Sequence, residues 1–245
     1  MLKIIFVAII FFSFSPGNFK TEQKKYPRVR TAYAEKEAGM LELLQENSIQ
    51  LDGLEIYLSA FKYEEELELW AKNKSEDSFR LLKTFKICRT SGTLGPKRKE
   101  GDLQIPEGFY HIDAFNPASS FYLSLRINYP NKSDRILGNK QKLGGDIYIH
   151  GDCVSIGCVP ITDEQIKALY IFCVEAKDNG QAKIPVTVYP ARLSDKTFET
   201  LKAKYLAESD KVNLWADLKL AYDKFTQSKQ LPSITFLEDG RHDVK

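Results

Sequence analysis

The segment from His150 to Cys158, with the sequence HGDCVSIGC, contains more reactive side chains than any other part of the chain. A free cysteine thiol has a pKa of about 8.5, so an adjacent imidazole is needed to take its proton and give a reactive thiolate near neutral pH. The backbone amides of the turn Ser155 to Cys158 can stabilise a developing oxyanion, and Gly157 permits a tight turn there. The segment predicts nucleophilic sulfur chemistry at the Gly157-Cys158 step.

Three other interpretations of the same residues stay open at this point. Cys153 is a second candidate nucleophile, although no glycine precedes it. Cys153 and Cys158 could instead form a disulfide that closes a tight loop. A zinc ion could be held by His150, Cys153 and Cys158 with Cys173 or His111 as fourth ligand, although four residues between two cysteines is a poor structural spacing for zinc.

Regular elements are predicted on both sides of this segment. Residues 145–151 (GDIYIHG) alternate in polarity, which predicts a strand with His150 near its end. Thr162 and Gln165 fit a capping box, which predicts a helix that carries Cys173 on its apolar face and stops at Asn179-Gly180.

The rest of the chain is predicted to surround these elements with further strands and helices. Alternation between Leu54 and Ile87 predicts three successive strands in an antiparallel meander. The remaining segments are a polar, mobile lead-in at 18–30, a helix at 31–47 with Met40, Leu41 and Leu44 buried, a loop or hairpin at 91–108, a short strand at 109–112, an irregular stretch at 113–144, a strand at 184–189 and helices from 194 to about 225. We expect Cys88 and Cys173 in the core and His242 exposed to solvent near the charged C terminus.

The N terminus has the features of a secretory signal. Lys3 is followed by an apolar run from Ile4 to Phe14 and then by Pro16-Gly17. This run is shorter than the ~20 apolar residues that span a bilayer, and it matches the central part of a signal peptide. We expect a signal peptide over residues 1–20, export to the periplasm or cell envelope, and no integral membrane domain after its removal; an uncleaved anchor is the alternative.

Composition and charge narrow the class of protein. The chain has 245 residues, of which 43% are hydrophobic, and 35 Lys and Arg residues against 33 Asp and Glu residues give a net charge of +2. These values are typical of an ordinary globular protein. So small a net charge gives no field strong enough to predict binding of a nucleic acid.

The segment from His150 to Cys158 and the sequence around it resemble a known family. The text YIHGDCVSIGC at 148–158, together with GPKRKEGDLQIPEGFYHI at 95–112 and FNPASSFYLSLRINYPN at 115–131, resembles the L,D-transpeptidase catalytic domain of the YkuD type, specifically its YafK-like branch. The resemblance covers roughly residues 54–189. Ile156 and Pro160 stand where the usual family pattern has a histidine and an arginine or asparagine.

The resemblance implies roles for particular residues. Cys158 is similar to the family nucleophile and His150 to its base, with the carbonyl of Gly151 orienting the imidazole. The amides of Gly157 and Cys158 would then bind the oxyanion. The remaining assignments are Ser155, which would shape the turn, and Arg126, Asp152 and Tyr148, which would contact substrate.

The resemblance also implies a fold and a function. The expected fold class is α+β, with a mostly β L,D-transpeptidase-like core (54–192), an N-terminal lead-in and helix (21–53) and C-terminal helices (193–245) packed on it. The expected function is cysteine acyl transfer on peptidoglycan stem peptides without metal or cofactor. The branch includes hydrolytic relatives that release a wall-attached lipoprotein, so such a lipoprotein is a candidate partner. The alternative is a non-catalytic wall-binding module with a structural Cys153–Cys158 disulfide.

Overall fold

The computed structural model describes residues 19–245, so the apolar run that predicts a signal peptide lies outside the described residues. The strands are β1 (Leu54–Phe61), β2 (Glu66–Asn73), β3 (Arg80–Lys86), β4 (Gly108–Asn116), β5 (Ser124–Ile127), β6 (Tyr148–His150), β7 (Val159–Pro160), β8 (Ile184–Tyr189), β9 (Ile234–Phe236) and β10 (His242–Val244). The helices are α1 (Phe19–Gln23), α2 (Pro27–Glu46), α3 (Lys132–Leu137), α4 (Asp163–Asp178), α5 (Asp195–Lys204) and α6 (Ser209–Ser228). From residue 19 onward, no helix is long and apolar enough to cross a bilayer.

A mixed eight-stranded sheet with the order β3-β2-β1-β8-β4-β5-β6-β7 forms the centre of the fold. Neighbouring strands are antiparallel except for β1 with β8 and β6 with β7, which are parallel. A separate hairpin of β9 and β10 lies near the C terminus. The α+β class is confirmed, with helices at both ends of the chain packed on the sheet.

Strand β1 shows why both faces of the sheet are covered. Successive side chains of a strand point to opposite faces, so Ile56 and Leu58 pack in one core with α2 and α4. Phe61 packs in another core with Trp215 and Leu218 of α6. A strand buried on both faces lies inside a three-layer arrangement of helix, sheet and helix.

Several predicted elements are confirmed. The meander is present as β1, β2 and β3 in antiparallel pairs. The strand at 184–189 and the C-terminal helices are present as β8, α5 and α6. Thr162 caps α4 by accepting a hydrogen bond from the amide of Gln165. Gln165 uses its own side chain elsewhere, to bind the backbone of Lys86 on β3, so the capping box is only half formed.

Two predictions for the irregular segments were wrong. Within the predicted lead-in, residues 19–30 contain α1 and the start of α2, and Leu41 of α2 is 44% exposed instead of buried. Residues 113–144 contain the end of β4, strand β5 and helix α3, because tertiary pairing and a local cap organise a segment with weak periodicity. Asn131 and Asp134 form a reciprocal capping box at the start of α3.

His242 is buried, which corrects the prediction that it is exposed. Its ring packs against Phe109 and Phe236, with centroid distances of 5.0 and 4.9 Å. Its amide and its Nδ1 both contact the carboxylate of Asp217 on α6. Pairing of β10 with β9 fixes the C-terminal segment in this position, and the charged composition of that segment did not indicate it.

A buried ion pair organises the long loop at 91–107. Lys62 donates to the carbonyls of Thr93 at 2.9 Å and Ile105 at 2.9 Å, and it pairs with Glu107 at 2.9 Å. Burial lowers the pKa of Lys62, and the carboxylate of Glu107 opposes that effect. Glu107 also accepts hydrogen bonds at 2.6 Å from Trp215 Nε1 and from a loop amide. The carboxylate of Glu107 therefore connects the residue that follows β1, the loop and α6.

We expect Glu107→Ala to lower the free energy of unfolding by about 3 kcal/mol, because it leaves the Lys62 ammonium buried without its counter-ion. Urea denaturation followed by circular dichroism measures the change. Glu100→Ala, at an exposed position of the same loop, is the matched control and should change stability by less than about 0.5 kcal/mol. Equal effects of the two substitutions would show that the buried pair contributes nothing to stability.

Candidate functional site

His150 lies at the end of β6 and is 1% exposed. Its Nδ1 donates a hydrogen bond to the carbonyl of Gly151, which leaves the lone pair of the neutral ring on Nε2. The imidazole also packs against the ring of Phe121, with 4.6 Å between the centroids. The ring is thus fixed in orientation by a backbone carbonyl and an aromatic neighbour, without an acidic side chain in that position.

Cys158 is half-buried and carries a free thiol. Its Sγ accepts a hydrogen bond from the amide of Tyr148 at 3.4 Å and donates to the carbonyl of Asp146 at 3.7 Å. Both partners lie on the backbone that leads into or begins β6. The sulfur is therefore held against the strand that ends in His150, and part of the residue remains accessible.

The pairing of β6 with β7 brings the two residues to the same place. Ile149 pairs with Val159 in parallel, and Cys158 directly precedes Val159. Ordinary strand dimensions then put the α-carbons of His150 and Cys158 roughly 8 Å apart. The two residues thus lie on or directly before paired strands, with the hydrogen bonds of Sγ going to the backbone of Tyr148 and Asp146 and that of the imidazole to the carbonyl of Gly151.

The pKa values of both groups favour a neutral pair. Burial lowers the pKa of His150, although the Gly151 hydrogen bond and the charge of Asp152 oppose this. Burial raises the pKa of Cys158, although the Tyr148 amide opposes it. Both shifts thus disfavour a resting thiolate–imidazolium pair.

Ser155 connects the turn that presents Cys158. Its Oγ donates to the carbonyl of Cys158 at 2.8 Å, accepts from the amide of Gly157 at 3.2 Å and lies 3.1 Å from Ser91 Oγ. The amide of Gly157 is thus engaged in the turn, and it would have to leave Ser155 to bind an oxyanion. Gly157 has a φ of +135°, and a Cβ there would lie 3.1 Å from the carbonyl of Gln104 in the 91–107 loop. The positive φ favours glycine, and a side chain would in addition press on the Gln104 backbone.

A disulfide joins Cys153, in the same turn, to Cys88 after β3. This finding corrects the prediction that Cys88 is a core residue, and it excludes the Cys153–Cys158 bridge. Cys153 cannot be the nucleophile or a thiolate ligand of zinc while it is in the disulfide. Cys173 is buried in α4, as predicted. Across residues 19–245, no group of three or more His, Cys, Asp or Glu side chains is arranged to hold a metal ion.

The three residues that were predicted to contact substrate differ in their exposure and in their hydrogen-bond partners. Arg126 on β5 pairs with Tyr148 in the sheet register, and its guanidinium binds Asp113 at 2.9 Å. Tyr148 is half-buried, and its hydroxyl lies 3.4 Å from Asp146. Asp152 is exposed with a φ of +61°, and its amide donates to Asp163 at the start of α4. Arg126 is thus engaged by an acidic neighbour, whereas Asp152 is exposed to solvent.

Comparisons with known proteins show the family of the chain. The family model described as the L,D-transpeptidase catalytic domain, YkuD, matches residues 64–188. The chain is 37% identical over 197 residues to "Putative L,D-transpeptidase YafK" from Escherichia coli strain K12, covering 80% of this chain and 76% of that protein. The chain belongs to the L,D-transpeptidase catalytic-domain family.

The solved structures that match the chain have low sequence identity to it. The crystal structure of the helical cell shape determining protein Pgp2 from Campylobacter jejuni has a TM-score of 0.45 and 20% identity, covering 76% of this chain and 74% of that one. L,D-transpeptidase 1 from Mycobacterium tuberculosis has a TM-score of 0.29 and 16% identity, covering 55% and 62% of the two chains.

For this L,D-transpeptidase-family site, we expect alkylation of Cys158 by iodoacetamide to speed up with pH through a midpoint above the usual thiol pKa of about 8.5. The sign follows from the raised pKa of the thiol, since the thiolate is the species that reacts. Labelling followed by peptide mass spectrometry measures the rate, and buried Cys173 in the same protein is the internal control. Rapid labelling of Cys158 at pH 6 would instead indicate a resting thiolate–imidazolium pair.

Sequence reasoning missed two sets of residues that build this family site. The first is the Lys62–Glu107 pair. Its signal in the sequence was the position of Glu107 itself, between Pro106 and Gly108 in a loop with few apolar residues. The second is the Cys88–Cys153 disulfide. No local pattern indicated that pairing, because four cysteines permit three connectivities.

Proposed function

We propose that this protein is an exported cysteine acyl-transfer enzyme that acts on peptidoglycan stem peptides. The observation that carries the proposal is the free, partly accessible thiol of Cys158 directly before β7, which pairs with the strand β6 that ends in His150, whose Nδ1 is bound by the Gly151 carbonyl. Membership of the L,D-transpeptidase family supports the substrate class, because that family acts on such peptides.

The proposed first half-reaction forms a thioester. Sγ of Cys158 attacks a carbonyl carbon of the stem peptide while its proton passes to Nε2 of His150. The carbon–nitrogen bond then breaks, and the departing amine takes that proton from the imidazolium. The amide of Cys158 is the proposed donor to the oxyanion, joined by that of Gly157 once it leaves Ser155.

The second half-reaction releases the enzyme. An amine acceptor gives a new cross-link or an attached protein, and water gives trimming or release. His150 accepts a proton from either nucleophile, and Cys158 leaves as the thiol after reprotonation. The chemistry requires no metal or organic cofactor. Release of a wall-attached lipoprotein is one of the proposed reactions.

Two further observations support parts of this proposal. Disulfides persist in oxidising compartments, so the Cys88–Cys153 bridge supports export to the periplasm or cell envelope. Residues 54–192 are the proposed catalytic unit and 193–245 its extension, and contact between Trp215 and Glu107 indicates that the extension helps to hold the loop beside the site.

The test is incubation of the protein with defined muropeptides, with and without an attached lipoprotein peptide, followed by mass spectrometry. Dimers with loss of an amine indicate transpeptidation, shortened stems indicate trimming, and free lipoprotein peptide indicates release. No product from any of these substrates, while the protein binds cell-wall sacculi, would favour a non-catalytic wall-binding module. That second function can no longer include a Cys153–Cys158 disulfide.

A further inference from the structure

The loop between β4 and β5 (residues 117–123, the 117–123 loop) packs a phenyl ring on the candidate base. The ring of Phe121 lies 4.6 Å from the imidazole of His150, centroid to centroid, with an angle of 33° between the two planes. Phe121 is 39% exposed and His150 is 1% exposed, so the phenyl ring separates one face of the imidazole from solvent. The orientation of the imidazole therefore depends on where this loop holds Phe121.

The backbone of the same loop contacts the residue that follows His150. The carbonyl of Leu123 accepts a hydrogen bond from the amide of Gly151 at 3.2 Å. The fit is close, since a Cβ on Gly151 would lie 2.9 Å from the carbonyl of Phe121. The 117–123 loop thus acts on the imidazole in two ways, through the Phe121 ring on its face and through Gly151, whose carbonyl binds Nδ1.

Arg28, near the start of α2, holds this loop from a different element. Its guanidinium donates to the carbonyls of Ser119 and Tyr122, the latter at 2.8 Å. It also lies 5.4 Å from the centre of the Tyr122 ring. Ser119 and Tyr122 stand on either side of Phe121 in the chain, so one side chain of the N-terminal helix fixes the backbone on both sides of the phenyl ring.

The conformation of Tyr122 explains why the loop needs such a contact. Its φ is +68°, in the left-handed region that an aromatic residue rarely adopts. Backbone strain of this kind persists only where the surrounding structure holds it. Ser119 supplies a local contact, since its Oγ accepts from the amide of Phe121 at 3.1 Å, whereas Arg28 binds the carbonyl of the strained residue itself.

We infer that Arg28 is a positioning residue for the proposed acyl transfer, because it holds the Phe121 ring against the imidazole of His150. The inference rests on the proposed function, and it gives the N-terminal helix a part in that reaction. The imidazole must keep one orientation while it takes and returns a proton, and a misplacement of about 1 Å can cost roughly 100-fold in rate. The face of the phenyl ring also attracts the imidazolium that forms when Nε2 is protonated.

Two matched arginine substitutions test the inference by kinetics. For a muropeptide that the unsubstituted protein turns over, Arg28→Gln should lower kcat by about tenfold and leave KM within about twofold, because Arg28 acts on the orientation of the base. Arg30→Gln is the matched control and should keep both values. Arg30 lies on the same helix and also binds backbone carbonyls, but those of Lys24 and Lys25 in the connection before α2.

A spectroscopic measurement tests the same contact without turnover. The chain has three histidines, so the histidine-labelled full chain gives few imidazole signals in an NMR spectrum, and His150→Gln assigns those of His150. The ring current of Phe121 should shift the His150 signals upfield. We expect this shift to shrink in Arg28→Gln and to persist in Arg30→Gln.

Two substitutions of Phe121 separate its aromatic ring from its size. Phe121→Leu keeps an apolar side chain but removes the ring, so it should abolish the upfield shift of the His150 signals and lower kcat by about tenfold. Phe121→Tyr restores a ring at the same position and should recover most of the shift and of kcat. Thermal melting followed by circular dichroism shows whether each variant is folded.

The possible outcomes distinguish the inference from the proposed function. An upfield shift that shrinks in Arg28→Gln, while the unsubstituted protein turns over no muropeptide, would support the positioning and contradict the function. Turnover that Arg28→Gln leaves unchanged would support the function and overturn the inference. A fall in kcat without any change in the His150 signals, or an equal fall in Arg30→Gln, would also overturn it.

Discussion

Replacement of Cys158 by alanine is expected to lower kcat by about 10⁴-fold or more on any stem peptide that the protein turns over. The reason is that the thiol forms the bond that defines the first half-reaction, and neither water nor another side chain in this site replaces it. Cys158 is half-buried and its Sγ makes two long hydrogen bonds to backbone groups, so its loss should leave the fold intact. Product formation measured by mass spectrometry under single-turnover conditions gives the rate.

The matched control for this substitution is Cys173→Ala. Cys173 is the other free cysteine within residues 19–245, and it lies buried in α4, outside the turn that leads to Cys158. It should retain kcat within about twofold, with at most a modest loss of stability from the smaller side chain. Turnover by Cys158→Ala at the rate of the control would show that the nucleophile is a different group.

Substitution of the histidine tests whether the two side chains act as a unit. His150→Gln should reduce kcat by about 10³-fold, and the double substitution with Cys158→Ala should be no slower than Cys158→Ala alone. Such non-additivity is expected when one residue acts only through the other. Additive losses would indicate that His150 contributes to packing against Phe121 and not to proton transfer.

The centre of the fold and the position of the candidate site could be predicted because local patterns agree with tertiary structure there. Period-two alternation predicted β1 and β2, and Thr162 predicted the start of α4. The sequence from His150 to Cys158 forms a strand end and a turn whose conformations are determined over a few residues. The structure of such segments can be predicted from sequence because their local conformational preference agrees with their packing in the fold.

The segments that could not be predicted depend on distant partners. β5 has only four residues, and its pairing with β4 and β6 defines it more than its own composition does. Cys88 follows Ile87 on an apolar stretch, but β3 ends at Lys86, so alternation no longer determines where the next side chain points. Its bonding partner lies 65 residues away.

Removal of the Cys88–Cys153 disulfide is expected to have the largest effect on stability. The bridge closes a loop with a sequence separation of 65, and the chain-entropy account of such loops gives a contribution of about 4 kcal/mol. The double substitution Cys88→Ser with Cys153→Ser avoids a free Cys153 thiol near Cys158. Urea denaturation of this variant and of the unsubstituted protein, each with and without reductant, measures the difference.

The same bridge should affect catalysis, because it holds one end of the turn that presents Cys158, the proposed nucleophile. Cys153 lies two residues before Ser155, which binds the carbonyl of Cys158, and Cys88 donates its amide to the carbonyl of Pro160. Two backbone segments on either side of Cys158 are therefore tied to one point after β3. We expect kcat to fall by about tenfold in the double variant at temperatures where it remains folded, with reductant having no further effect. Unchanged kcat together with the full loss of stability would mean that the hydrogen bonds of Ser155 suffice to position the sulfur, and that the disulfide acts on the unfolded chain alone.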